Sequence, residues 1–97
     1  MRYISEAAAT EKVREKMGDV PHEMTIYSRD PQGLATYRAR IAVKVKTSLV
    51  TEDLIARLVE LAAREDVPVE FVGSKVDIER DIETTYIFLD ANVEAKI

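Results

Sequence analysis

The sequence predicts an α+β domain: one mainly antiparallel sheet with two helices packed on one face, in the order α-β-β-α-β-β. Three observations lead there. Apolar residues recur with a helical period in two stretches and with a period of two in the others. Strands follow one another directly at both halves of the chain, which favours antiparallel neighbours over crossover units. Asp30-Pro31-Gln32-Gly33 is a turn signal between the first two alternating runs, with Asp capping, Pro setting φ and Gly closing the turn. At 97 residues the chain is one domain, 1–97.

Each element has its own justification. Ser5 to Met17 reads as a helix, with Ser5 as N-cap and Ala7-Ala8-Ala9 as strong helix formers. Ala9, Val13 and Met17 form one narrow apolar stripe, and Glu11, Lys12, Glu15 and Lys16 cover the rest. Gly18 ends the helix, and Pro21 cannot continue it. His22 to Arg29 alternates, with Met24 and Ile26 on one face and Thr25 and Tyr27 on the other. Ala35 to Thr47 is the clearest strand: Tyr37, Ala39, Ile41, Val43 and Val45 face one way, Arg38, Arg40, Lys44 and Lys46 the other. Thr51 caps a second helix running to Glu65, where Leu54, Leu58, Leu61, Ile55, Val59 and Ala62 make a broad apolar face. A third strand starts at Val69, with Gly73 expected to kink or bulge it. From Lys75 the alternation reads as strict: Val76, Ile78 and Ile82 on one face, Asp77, Glu79, Asp81 and Glu83 on the other. Thr84 to Val93 closes the domain, with Ile87, Leu89, Ala91 and Val93 opposite Tyr86, Phe88, Asp90 and Asn92. Residues 80–83 read equally as a turn or as continuous strand.

Composition narrows the function. There is no Cys and one His, which removes disulfides, thiolate sites and Cys nucleophiles and leaves a catalytic triad short of partners. Apolar runs are four residues at most, against the ~20 that span a bilayer, and the N-terminus has no signal-peptide pattern. The expectation is a soluble protein that stays where it is made. No phosphate loop, dinucleotide fingerprint, nucleophile elbow or zinc-protease motif occurs. A non-enzymatic role without cofactor or metal is therefore expected. Net charge is −4, but residues 1–47 carry nine basic and six acidic side chains, and residues 48–97 carry five and twelve.

Three features are candidates for function. His22 reads as a general base or as an ordinary strand-edge histidine, and the absence of a nearby nucleophile favours the latter. The stripe Asp77, Glu79, Asp81, Glu83 reads as a solvated strand face, an electrostatic docking face, or a divalent-cation site lacking the glycine and ligand order of a calcium loop. The stripe Arg38, Arg40, Lys44, Lys46 reads as a partner for the acidic stripe, within the chain or between copies, as a solvated face, or as a phosphate track. Single-strand binders interleave aromatics with such basic residues, and this strand face carries none, which argues against nucleic acid. These eight charged residues are the expected interface.

The element order and some local text resemble the tail-terminator (tail-completion) proteins of long-tailed bacteriophages over roughly residues 20–93. The resemblance rests on Tyr37-Arg38-Ala39-Arg40-Ile41-Ala42-Val43 running into the amphipathic helix Thr51–Glu65, then on Glu79-Arg80-Asp81, Glu83-Thr84-Thr85-Tyr86 and the strand Ile87–Val93. It implies a homo-oligomeric ring, a hexamer, that caps the finished tail tube and presents its other surface to the head connector. Its partners would be copies of itself and the tail-tube and connector proteins. It would act in the host cytoplasm during assembly and then in the virion, with related neck proteins of similar shape. The alternative is a small acidic binding or inhibitor protein acting on a host partner through its C-terminal half.

Overall fold

The computed structural model describes residues 2–29, 35–64 and 67–97. Helix α1 (Glu6–Met17) starts where the Ser5 hydroxyl accepts the Ala8 amide at 3.1 Å. It ends at Gly18, whose φ of 60° and ψ of −127° suit a residue without Cβ and whose amide donates to the Arg14 carbonyl. Strand β1 (Glu23–Ser28) and strand β2 (Thr36–Lys46) follow, then a single 3-10 turn (Thr47–Leu49) and helix α2 (Glu52–Ala63), capped by Thr51 accepting from the Leu54 amide. Strands β3 (Val69–Glu79) and β4 (Ile82–Glu94) complete the chain. The expected elements therefore form within one or two residues of their expected ends. The turn Asp30–Gly33 lies outside the described residues.

The sheet is antiparallel throughout, in the order β1-β2-β4-β3. The last strand inserts between β2 and β3, so β2 and β4 form the centre, and β1 and β3 are edges. Val43 pairs with Ile87, Ile41 with Leu89, Ala39 with Ala91 and Tyr37 with Val93. These eight side chains are buried on the helix side, together with Ala9, Val13 and Met17 of α1. The register of β3 against β4 shifts between Phe71 and Gly73, so the expected bulge is there.

The chain's two ends meet, which the sequence did not signal. Tyr3 bridges Lys96, the Ile4 amide donates to the Ala95 carbonyl at 2.8 Å, and the Tyr37 hydroxyl donates to the Ile4 carbonyl.

Three expectations are corrected. Of the two readings of residues 80–83 the chain adopts the turn, which corrects the faces expected of Ile82 and Glu83. Arg80 and Asp81 have φ of 52° and 65°, and Glu79 pairs with Ile82 across them. A two-residue loop puts its flanking residues on the same face, which inverts the parity expected of a continuous strand. Ile82 consequently joins Glu79 on the outer face, and Glu83 joins Ile78 on the helix face. Secondly, Lys16 is not on the polar surface of α1. It is 2% exposed, and its ammonium donates to the Arg64 carbonyl just past the end of α2, where the helix dipole favours a cation. Thirdly, α2 buries only Leu58. Leu54 and Leu61 are half-buried, and Ile55, Val59 and Ala62 are exposed.

The sheet is left open for a geometric reason. A strand of thirteen residues spans about 43 Å, and the molecule is 52 Å long. Each twelve-residue helix is about 18 Å long, so neither can cover the length of the sheet.

Candidate functional site

Two uncovered surfaces result, one on each side of the sheet. On the side away from the helices, Arg38, Arg40, Lys44 and Lys46 of β2 project as expected, opposite Asn92, Asp90, Tyr86 and Thr84 of β4. Asp90 takes Arg40 as an ion-pair partner, and also accepts from the Tyr27 hydroxyl at 3.2 Å. The hydrogen bond to the Asp90 carboxylate, reinforced by its charge, holds the Arg40 guanidinium above its ordinary value. Arg40 lies 5.9 Å from the centre of the Tyr27 ring.

The premise that this face lacks aromatics is corrected here. β2 supplies none, but its neighbour β4 supplies Tyr86 and Phe88, whose rings lie 6.3 Å apart and within 10° of parallel. The β3 register places Lys75 on the far side of Tyr86. The Lys44 and Lys75 ammonium groups sit 5.7 and 4.7 Å from the Tyr86 ring centre, one from each neighbouring strand. Phe88 is flanked by Ala42 and Gly73, the smallest residues of the face. The sequence contained this arrangement, but only the strand order brings it together.

The acidic stripe is divided. Asp77 and Glu79 point to this same outer face at the β3 edge, Asp81 sits in the hairpin turn, and Glu83 turns to the helix side. The four carboxylates therefore present no common face to a cation. Asp77 pairs with Lys75 at 3.3 Å. Among the described residues no three His, Cys, Asp or Glu side chains converge as a metal site. His22 is half-buried, and its Nδ1–H donates to the Val20 carbonyl at 2.7 Å, a local link behind α1.

The second surface is a groove on the helix side. It has a volume of about 380 Å³ and runs between α2 and the β3–β4 pair. Leu58, Ile87 and Leu89 form its floor, and Ile55, Val59 and Phe71 its rim. Val59 is 64% exposed, Phe71 63%, and Ile78, further along β3, 70%. Thr85, also lining the groove, is satisfied by the Thr47 hydroxyl at 2.7 Å. The rim continues onto β3, whose outer edge pairs with no other strand among the described residues. The sequence places Ile55, Leu58 and Val59 together on one apolar helix face. Their period carries no information on which of them a short helix can cover.

No described helix is long and apolar enough to cross a membrane. No family model, no curated protein and no solved structure matches the chain.

Proposed function

We propose that the chain is a non-enzymatic structural subunit that assembles with copies of itself into a ring. Following the resemblance of residues 20–93, that ring closes the end of a phage tail tube or forms part of the head–tail neck. One observation carries the reading: an apolar band made of Ile55 and Val59 on α2 and Phe71, Val76 and Ile78 on β3 is exposed, and it borders an unpaired sheet edge. Exposed apolar surface of this continuity marks an association site in a soluble domain. An edge strand accepts another chain through its free backbone groups. The groove and the β3 edge lie at one end of the strand order and β1 lies at the other, so a contact that seats the β1 side of one copy against the groove of the next is head-to-tail. Contacts of that kind give rings where the rotation between copies closes and filaments where it does not.

Light scattering on the eluting peak tests this. A ring runs at several times the 11.0 kDa of one chain. Val59→Asp and Phe71→Ser are expected to reduce it to single subunits that remain folded by circular dichroism. A parent protein that stays monomeric at high concentration overturns the proposal.

A further inference from the structure

We propose that the open face of the sheet binds single-stranded nucleic acid, its bases stacking on Tyr86 and Phe88 and its phosphates held by the lysines around them. This site is independent of the assembly groove, since it lies on the opposite side of the sheet.

Tyr86 and Phe88 are half-buried, so each keeps part of its ring open to water. A sheet face left to solvent is ordinarily polar. Here the central strand places two near-parallel rings in the middle of that face, and the flanking positions at Phe88 are Ala42 and Gly73. A Cβ built at Gly73 would meet nothing within 4 Å, so the space beside the ring is open to solvent. A flat ligand can therefore reach the shelf.

Charge then selects the kind of flat ligand. Lys44 and Lys75 approach the Tyr86 ring from the two strands on either side, and Lys46 projects from the next position along β2. Asp77 is the acid of that neighbourhood, and it is already engaged with Lys75. The other acids of the face lie off the Tyr86 end of the shelf. Glu79 is at the hairpin end, while Asp90 and Glu70 lie one same-face position beyond Phe88 and Gly73, and Glu23 lies across Ala42 from Phe88, so phosphates are held at the Tyr86 end. Asp90 is consumed by Arg40 and Tyr27. Aromatic rings bordered by cations match a polymer that alternates flat bases with anionic phosphates. Stacking is tolerant of base identity because every base has a π-face. A duplex keeps its bases stacked on each other and cannot offer them, so the shelf discriminates for single strands.

The test is fluorescence anisotropy of a labelled single-stranded oligothymidylate, at two or more salt concentrations, with a duplex of equal length and polyglutamate as controls. The parent should bind the single strand, and the affinity should fall with salt. Tyr86→Leu and Phe88→Leu keep the apolar bulk but remove the π-face, and each should weaken binding about tenfold. Changing Lys44 and Lys75 to Gln should flatten the slope of log affinity against log salt by about 1.4, two phosphates' worth for a single strand. The chain has no Trp, so its own tyrosine emission reports stacking in the unmodified protein. Quenching on titration with the oligonucleotide is expected even if a variant misfolds. The proposal is overturned if the parent shows neither binding nor quenching at low salt. It is equally overturned if duplex or polyglutamate competes as well as the single strand, or if folded Tyr86→Leu and Phe88→Leu bind like the parent.

Discussion

The two helices of this protein make a controlled comparison. They have the same length, equivalent hydroxyl N-caps and the same sheet beneath them, yet they end in opposite states. α1 has the poorer apolar pattern, a stripe of three residues, and all three are at most 1% exposed. α2 has the richer pattern, two parallel rows of apolar residues, and it buries one of them fully. Amphipathicity therefore measures how much surface a helix must cover, not how much its own chain covers. A helix whose apolar face exceeds what the sheet beneath can meet has surface left for another molecule. α1 has none left.

Placing the same charge under each helix breaks the comparison most sharply. Val13→Asp puts an unpaired carboxylate in the packed half, and a loss of ~3–5 kcal/mol is expected. That is a large share of the ~5–15 kcal/mol available to a small domain, so urea unfolding should shift far to lower concentration. Val59→Asp puts the identical group at a groove rim already in water, and its unfolding midpoint should stay close to that of the other single-subunit variant, Phe71→Ser. If Val59→Asp also unfolds the isolated subunit, the groove is part of the core and the contrast fails.

The caps give a middle-sized effect and serve as a control. Ser5→Ala and Thr51→Ala each remove one hydroxyl that accepts a backbone amide three residues on. Each should cost about 1 kcal/mol. Equal costs, read from thermal melts, assign the difference between the helices to packing. A much smaller cost at Thr51 would mean that the first turn of α2 is frayed and that its exposed face reflects local disorder.

The smallest effect links the two regions. Asp19, just after α1, pairs with Arg57 of α2, and both are exposed. The hydrogen bond from Arg57, reinforced by its charge, holds the Asp19 carboxyl below its ordinary value of 3.8. A carboxyl depressed in the folded state adds stability above its unfolded pKa and loses it as pH falls through the folded one. Parent and Asp19→Asn should therefore differ slightly in melting temperature at neutral pH and converge below pH 3.8. A difference that persists in acid would mean the pair contributes through packing rather than charge.

Much of this architecture was legible in the chain. Period, caps and Gly73 identified every helix and strand and the inward face of β1, β2 and β4, because these follow from backbone sterics and from side chains alternating at fixed intervals. The hairpin at Arg80-Asp81 was legible only as one of two readings, for it lacks the Asn-Gly or Asp-Gly signal that positive φ at two adjacent positions ordinarily requires. From the continuous-strand parity came the wrong faces for Ile82 and Glu83 and an acidic stripe that the folded chain divides.

What tertiary structure alone decided is adjacency. Nothing near Tyr86 in the sequence indicates that Lys44 and Lys75 will flank it, since β4 must first insert between β2 and β3. Lys16 looked like any surface lysine until the end of α2 arrived beside it, 48 residues away. The length of β3 that α2 leaves bare follows from two lengths, an ~18 Å helix on a sheet whose longest strand is ~43 Å. Local patterns set which side of each element is apolar, because that depends only on neighbours in the chain. Whether that side meets protein or water depends on strand order and element length together, and these exist only once the chain has folded.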